Sequence, residues 1–226
     1  MKSNLESTEK FSTSACAIGI DLGGTCIKYA LISPQGDILF NDEDPTDAMA
    51  SRDNVLQRII TAIDKTLTVA SQFKCQVSCV GLGTPGTVDV EAGQVKSGAN
   101  NISGWNGFPL RDYLAKHIKL PVFIDNDANL IAVGESVYGV ARGKLSSLVV
   151  TLGTGIGGAI LMEGKLLRGT NNASAEFGCM ALPFHNAQQE LDVVSWESLA
   201  SAKALVARFQ QLSELDSVFY QQEVNG

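Results

Sequence analysis

Asp127 and Asn126 are the side chains whose placement in the sequence most suggests chemistry. They follow a short apolar segment, Pro121 to Ile124, and precede the helical pattern of residues 128–138. A carboxylate at such a junction can accept the proton of a hydroxyl group during phosphoryl transfer, which otherwise needs positioning and neutralised charge. Asp and Asn are also favoured helix N-caps, so Asp127 could do no more than begin the helix. The residue types alone favour the cap.

Two glycine-rich turns, each after an apolar segment, could bind phosphate through the backbone: Gly23-Gly24-Thr25 and Gly153-Thr154-Gly155. Turns of this kind present N–H groups that bind anions. A single glycine turn is more commonly a plain hairpin. Two of them, each with a threonine, favour phosphate, and a nucleoside triphosphate would suit two loops that face one cleft.

Asp21 lies at the end of an apolar segment, directly before the first turn. A carboxylate there is costly unless it binds a cation or accepts hydrogen bonds. Mg²⁺ held through water would satisfy it, because Mg²⁺ retains several waters and takes few protein carboxylates. Alternatively, Asp21 accepts N–H groups of its own turn. The sequence favours neither interpretation.

Two matches to GxGxxG, at residues 81–86 and 153–158, are discounted as dinucleotide sites. Such a site needs a helix directly after the turn, because the pyrophosphate binds at its N-terminus. Strand-like residues follow both turns here.

The elements that must position these residues alternate between strands and helices, which indicates an α/β fold. Strand-like segments occur at residues 17–20, 27–32, 38–40, 77–82, 121–124 and 148–152. Apolar residues spaced by four predict a helix that buries Val55, Ile59, Ile63 and Leu67. Pro109 is expected to begin a second helix. A last helix is predicted over residues 193–212, with Ser195 as its cap.

The strand, glycine turn and strand of residues 20–26 recur at residues 150–156, about 130 positions later. Glycine turns between apolar strands are common, but the shared order of features favours a duplicated βββ unit. We therefore predict a disordered tail at residues 1–15 and two α/β domains, 16–120 and 121–226. The domain boundary is placed near Leu120.

Composition excludes several classes of protein. Of 226 residues, 45% are apolar and 18% charged, so a core is expected, and the net charge of −7 without a basic patch argues against nucleic-acid binding. No apolar run reaches the ~20 residues of a membrane span. The polar N-terminus resembles no signal peptide, so a cytoplasmic location is expected. Five cysteines without CxxC spacing, and two histidines, give little support for zinc.

Six short segments follow one another between Cys16 and Met180: Ile20-Asp-Leu-Gly-Gly-Thr25, Gly83-Thr-Pro-Gly86, Asn101-Ile-Ser-Gly-Trp105, Asn126-Asp-Ala-Asn129, Gly153-Thr-Gly-Ile-Gly-Gly158 and Ala175-Glu-Phe-Gly178. In residue types and in order they resemble the motifs of the ROK family of sugar kinases (repressor, open reading frame, kinase). The resemblance implies an actin/hexokinase-like ATPase fold, with two α/β domains and a cleft between them.

The resemblance also implies roles for individual residues. Asp127 resembles the base that deprotonates the sugar 6-hydroxyl, and the two glycine turns resemble the family's phosphate loops, with Asp21 beside Mg²⁺. The implied sugar-binding residues are Gly86, Asn101, Asn126, Glu176 and Glu197. Glu197 could equally be a solvated helix glutamate.

Some family features are missing. Cys179 stands where the family has the His of Glu-x-Gly-His, and residues 182–194 lack the zinc-binding cysteines, so no zinc is expected. Some polyphosphate-using glucokinases of the family share both this lack and a Ser-Trp segment, which makes polyphosphate a candidate donor. The chain also ends at Gly226, before family segments that help to hold adenosine, so we expect an incomplete second domain.

The expected function is an ATP- and Mg²⁺-dependent hexose kinase that phosphorylates the 6-hydroxyl of a glucose-like sugar or an N-acetylhexosamine. The partner is a small-molecule sugar, and a homodimer is expected. The alternative is a catalytically silent sugar-binding sensor. About 15 residues precede the first strand, too few for the helix-turn-helix of the family's repressors.

Overall fold

The computed structural model describes residues 15–47, 51–185 and 189–212. They fall into two compact units that divide between Leu130 and Ile131. The predicted tail lies outside the described residues up to position 14. The predicted domain boundary near Leu120 stays a prediction.

The first unit contains a mixed sheet, a hairpin and its helices. In chain order these are β1 (Ala15–Leu22), β2 (Cys26–Ile32), β3 (Ile38–Pro45), α1 (Arg52–Gln72), β4 (Gln76–Thr84), β5 (Thr87–Asp89), β6 (Gln94–Ser97), α2 (Leu110–Ile118), β7 (Val122–Asn126) and α3 (Asp127–Val137), which continues across the division. Five strands form one sheet in the order β3-β2-β1-β4-β7.

The direction of these strands determines where polar residues meet. β2 is antiparallel to β1 and to β3, whereas β4 and β7 run parallel to β1 and to each other. The carboxyl ends of β1, β4 and β7 therefore share one edge of the sheet. There Asp21 pairs with Gly83, Gly83 with Asp125, and Thr84 with Asn126. Ligands of open α/β sheets bind at such an edge.

The core of the first unit forms where α1 packs on the sheet. Val55, Ile59 and Ile63 are fully buried, as the spacing of four predicted, and Leu67 packs against the same cluster. The Ser51 side chain caps α1 by accepting a hydrogen bond from the Asn54 N–H at 3.1 Å. Pro109 directly precedes α2, as predicted.

The second unit contains β8 (Ser147–Leu152), β9 (Ile156–Met162), β10 (Lys165–Leu166), a 3₁₀ turn (Phe177–Cys179), β11 (Ala181–His185), β12 (Leu191–Ser195), α4 (Trp196–Ala200) and a helix at 202–212. β8, β9 and β10 form an antiparallel sheet in the same order as β1, β2 and β3. This shared order agrees with the predicted repeat. Among the described residues of this unit, the buried apolar cluster is small: Ala132, Ala159 and Leu161.

The helix predicted over residues 193–212 is wrong at its start. Val193 lies in β12 and pairs with Pro183 of β11, which suits its β-branched side chain. Ser195 does cap α4, because its Oγ accepts a hydrogen bond from the Ser198 N–H at 3.2 Å. α4 ends at Ala200, and the extended backbone of the next residue, Ser201, separates it from the helix at 202–212.

Candidate active site

Asp127 is the first residue of α3, directly after β7. The cap of this helix is Asn126, whose Oδ1 accepts a hydrogen bond from the Asn129 N–H at 3.2 Å. Asp127 Oδ1 accepts the N–H of Ala128 at 2.8 Å. Because Asn126 caps the helix, the need for an N-cap does not explain why position 127 carries a carboxylate.

Asp127 and Asp21 influence each other electrostatically. Burial raises the pKa of Asp127, the negative charge of Asp21 raises it further, and hydrogen bonds such as that from Ala128 act against both. The pKa of Asp21 is also raised by desolvation, while Lys28, opposite it on β2, lowers it. Two carboxylates that disfavour each other's charge suit a proton acceptor beside a cation site.

Thr46 holds the first glycine turn in place. Its hydroxyl donates to Gly23 O at 2.7 Å, and its N–H donates to Thr25 O at 2.9 Å. Within the turn, the Gly23 N–H donates to Cys26 O at 3.0 Å. Gly23 therefore has no N–H to offer a ligand, whereas within the described ranges the N–H groups of Gly24 and Thr25 make no hydrogen bond. Those two N–H groups could therefore donate hydrogen bonds to a bound anion.

Three predicted sugar-binding residues of the first unit lie close to this edge of the sheet. Asn126 Nδ2 donates to Gly86 O at 3.1 Å, which joins α3 to the loop after β4. The Nδ2 of Asn101 approaches Gly24 so closely that a Cβ at Gly24 would lie 3.7 Å from it. The structure thus brings together Asn101 with the first turn, and Asn126 with Gly86.

Buried residues that the sequence analysis did not assign support this arrangement. Asp125 accepts the Asn126 N–H at 2.8 Å and Asn129 Nδ2 at 3.0 Å. Buried Trp105 donates its Nε1–H to the equally buried Thr84 hydroxyl at 2.9 Å. Trp105 and Asn129 lie in segments that resemble family motifs, and this resemblance is the sequence signal that could have identified them. Nothing in the sequence pointed to Thr46.

The second glycine turn and the remaining predicted residues belong to the second unit. The Gly153 N–H donates to Gly155 O at 3.0 Å, and Glu197 Oε2 accepts the Ile156 N–H at 2.8 Å. Glu176 directly precedes the 3₁₀ turn, and its carbonyl accepts the Cys179 N–H at 3.1 Å. The predicted sugar ligand Glu197 is therefore bonded to the strand that follows the second turn.

The side chains present fit Mg²⁺ near Asp21. Carboxylate oxygens are the ligands that Mg²⁺ prefers, and within the described residues the Asp21 carboxylate accepts no hydrogen bond from its own turn. Among residues 15–47, 51–185 and 189–212, no group of three or more His, Cys, Asp or Glu side chains could hold a metal ion. In the same ranges, no helix is long and apolar enough to cross a membrane.

Comparison with curated proteins finds both glucokinases and repressors among the relatives. Over 161 residues the chain is 38% identical to a glucokinase of Halalkalibacterium halodurans, covering 71% of this chain and 48% of that protein. It is 31% identical over 202 residues to a xylose repressor of Caldicellulosiruptor bescii, covering 86% of this chain and 49% of the repressor. The chain spans about half the length of the curated relatives it matches.

Solved structures resemble the fold. A ROK family glucokinase from Streptomyces griseus in complex with glucose and AMPPNP matches with a TM-score of 0.76 and 32% identity, over 89% of this chain and 62% of that one. An inorganic polyphosphate/ATP-glucomannokinase from Arthrobacter matches with a TM-score of 0.69 and 31% identity, over 84% of this chain and 70% of that one.

These likenesses define the fold as that of the hexokinase-like ATPases, which confirms the predicted fold class. The ROK family model matches residues 17–224. The chain belongs to the ROK family.

Proposed function

We propose that this protein transfers the γ-phosphoryl group of ATP to the 6-hydroxyl of a hexose, with Asp127 as the general base. One observation carries the proposal: a carboxylate with a raised pKa stands beside a second carboxylate at the carboxyl end of parallel strands. The family relationship to glucokinases supports the same reaction.

Asp127 would accept the proton of the sugar hydroxyl as that oxygen attacks the γ-phosphorus. A raised pKa suits this task, because a base whose pKa lies nearer the working pH holds the accepted proton more firmly. The hydrogen bond from the Ala128 N–H fixes the carboxylate at the start of α3. Asp127 thus combines a fixed position with increased basicity.

The glycine turns would hold the phosphates of ATP through backbone N–H groups. In the first turn these are the N–H groups of Gly24 and Thr25, and the second turn is Gly153-Thr154-Gly155. When bound through water at Asp21, Mg²⁺ supplies positive charge that neutralises the phosphate oxygens.

Hydrogen bonds to sugar hydroxyls would determine which sugar is accepted. The proposed contacts are those of Gly86, Asn101, Asn126, Glu176 and Glu197. The bond from Asn126 to Gly86 would keep the loop after β4 aligned with α3. A site that pairs hydroxyl groups strongly rejects sugars that lack them.

Glucose-like sugars and N-acetylhexosamines are the proposed acceptors, and polyphosphate is a second proposed donor because one structural relative is a polyphosphate/ATP-glucomannokinase. The absence of zinc from the protein, its assembly as a homodimer and its cytoplasmic location stay predictions. The similarity to xylose repressors favours a second candidate, a sugar-binding protein without kinase activity.

Turnover and its dependence on Asp127 test the proposal together. Phosphorus NMR of the chain with Mg-ATP and a panel of hexoses and N-acetylhexosamines should reveal a new sugar-phosphate signal with at least one sugar. Asp127→Asn should lower kcat by about 10²- to 10⁴-fold, the usual contribution of a general base, with little change in sugar affinity. Polyphosphate replaces ATP in a parallel series.

Asp112→Asn is the matched control, because Asp112 is an exposed carboxylate of α2. It should leave turnover unchanged. Full activity of the Asp127→Asn protein would refute the assignment of the base. Sugar binding without turnover from either donor would favour the sensor.

A further inference from the structure

The second glycine turn is held on both sides by one segment of the second unit. Glu197, in α4, accepts the N–H of Ile156, the first residue after the turn, at 2.8 Å. Ala202, just beyond α4, donates its N–H to Gly153 O at 2.9 Å. Both ends of the turn are therefore bonded to residues only five positions apart.

Glycines make this approach possible. A Cβ at Gly155 would lie 2.4 Å from Glu197 Oε2, closer than any side chain could tolerate without a shift. A Cβ at Gly178, in the 3₁₀ turn, would lie 3.2 Å from the same oxygen. The carboxylate therefore lies against both glycines, and it would have to shift if either position carried a side chain.

We propose that Glu197 is a positioning residue that fixes the glycine turn Gly153-Thr154-Gly155 in the conformation that binds the phosphates of a nucleoside triphosphate. The inference rests on the proposed function and extends it, since Glu197 entered there only as a sugar contact. A glycine-rich turn has many accessible backbone conformations, so fixing it in one of them costs conformational entropy. A hydrogen bond at its end restricts them before the ligand arrives.

The chemistry separates this role from a sugar contact. Accepting the Ile156 N–H needs an oxygen but no charge, so a glutamine can replace the glutamate. An alanine cannot accept this hydrogen bond, so the turn is no longer held at Ile156. Removing negative charge near a phosphate site also does not weaken anion binding. Glu197→Gln should therefore retain nucleotide affinity, whereas Glu197→Ala should lose it.

The experiment measures the affinity of the full chain for AMPPNP by calorimetry without sugar, and KM values for ATP and sugar where turnover occurs. Glu197→Ala should weaken AMPPNP binding and raise the KM for ATP by about 10-fold, the lower range for a lost hydrogen bond to a charged group. Glu197→Gln should keep AMPPNP affinity within about threefold of the unaltered protein.

Glu135→Ala is the matched control, because Glu135 Oε2 accepts a backbone N–H in the same way, from Val140 at 2.9 Å, but touches neither glycine turn. It should leave AMPPNP affinity unchanged. Near-UV circular dichroism checks that each variant folds, and Glu197→Gln provides a test even if the alanine variant does not.

Four results would overturn the inference. Unchanged AMPPNP affinity in Glu197→Ala, or a 10-fold loss in Glu197→Gln, rejects the positioning role while the proposed function stands. A rise in the KM for sugar alone identifies Glu197 as a sugar ligand. Absence of AMPPNP binding by the unaltered protein rejects the proposed function, and this inference with it.

Discussion

At the scale of single residues, the charge of Asp21 and the protonation of Asp127 are coupled. The negative charge of Asp21 raises the pKa of Asp127, so Asp21→Asn should lower it. In this variant burial, the largest cause, still raises the pKa of Asp127, and the hydrogen bond from the Ala128 N–H still lowers it. Carbon-13 NMR titration of the Asp127 carboxyl in the absence of Mg²⁺ measures the change.

Asp64→Asn provides the comparison, since Asp64 is an exposed carboxylate of α1 that does not contribute to the shift at Asp127. Asp64→Asn should leave the pKa of Asp127 unchanged. A pKa of Asp127 that stays constant or rises in the Asp21→Asn protein would contradict the proximity of the two carboxylates.

The residue types at the junction of β7 and α3 could not decide which side chain caps the helix. Both Asn126 and Asp127 are good caps, and the choice depends on where the strand ends. β7 continues through Asn126, so the residue that caps is the asparagine, and Asp127 becomes the first helical residue. Asn126 belongs to the strand because it pairs with Thr84 of β4, and pairing between distant segments is not contained in a local pattern.

At the scale of elements, Gly86 and Gly98 let the two ends of the hairpin β5–β6 approach each other closely, since a Cβ at Gly98 would lie 3.1 Å from Gly86 Cα. Gly86 has φ +93°, and a Cβ there would lie 2.4 Å from Ser97 O, a backbone atom. An alanine at Gly86 would therefore cost free energy both for the positive φ and for the steric clash. Gly107→Ala isolates the cost of the positive φ, because Gly107 has a similar φ of +78° but no atom within 4 Å of the added Cβ.

Gly107→Ala should therefore lower the free energy of unfolding by about 1–2 kcal/mol, the cost of positive φ. Gly86→Ala should lower it by about 1–3 kcal/mol more, because the backbone must also shift. Urea unfolding followed by Trp105 fluorescence, in a Trp196→Phe background, measures both. Equal losses in the two variants would show that the close approach of Gly86 to Ser97 costs nothing.

Local pattern predicted most elements that bury an apolar face, and it was wrong where burial is weak. α1 shows a clear spacing of four, and its predicted face is the buried one. The segment at Val193 is largely exposed, at 65% for that residue, so no buried stripe distinguished helix from strand. Pairing with β11 decided the outcome, and pairing between segments is not visible in a local window.

At the scale of the whole molecule, the order of motifs predicted the fold class, whereas the contacts that join distant segments could not be predicted. The hydroxyl of Thr46 reaches Gly23, and Asn126 reaches Gly86, 40 positions away. Such pairs depend on how the strands are ordered in the sheet, which one sequence without relatives specifies only through family resemblance. The candidate site is therefore best predicted where its residues are neighbours in sequence.

The two units differ in the amount of apolar surface that they bury, and this predicts unequal stability. In the first unit, one continuous cluster joins α1, the sheet and Trp105. In the part of the second unit that the structure describes, the buried cluster consists of Ala132, Ala159 and Leu161. In that unit Leu148 and Leu152 of β8 are 61% and 70% exposed. Burial of apolar surface is the main favourable term in folding, so the second unit should open at lower free energy.

Native-state hydrogen exchange measured by mass spectrometry tests this difference. Amides of β1 and β4 should exchange at least about 100-fold more slowly than those of β8 and β9, which corresponds to ~2.7 kcal/mol in opening free energy. The β1–β2 and β8–β9 pairs are matched in kind, since both are antiparallel strands joined by a glycine turn. Equal protection would mean that the small cluster of the second unit is as hard to open as the larger one, and that buried apolar area does not govern stability in this chain.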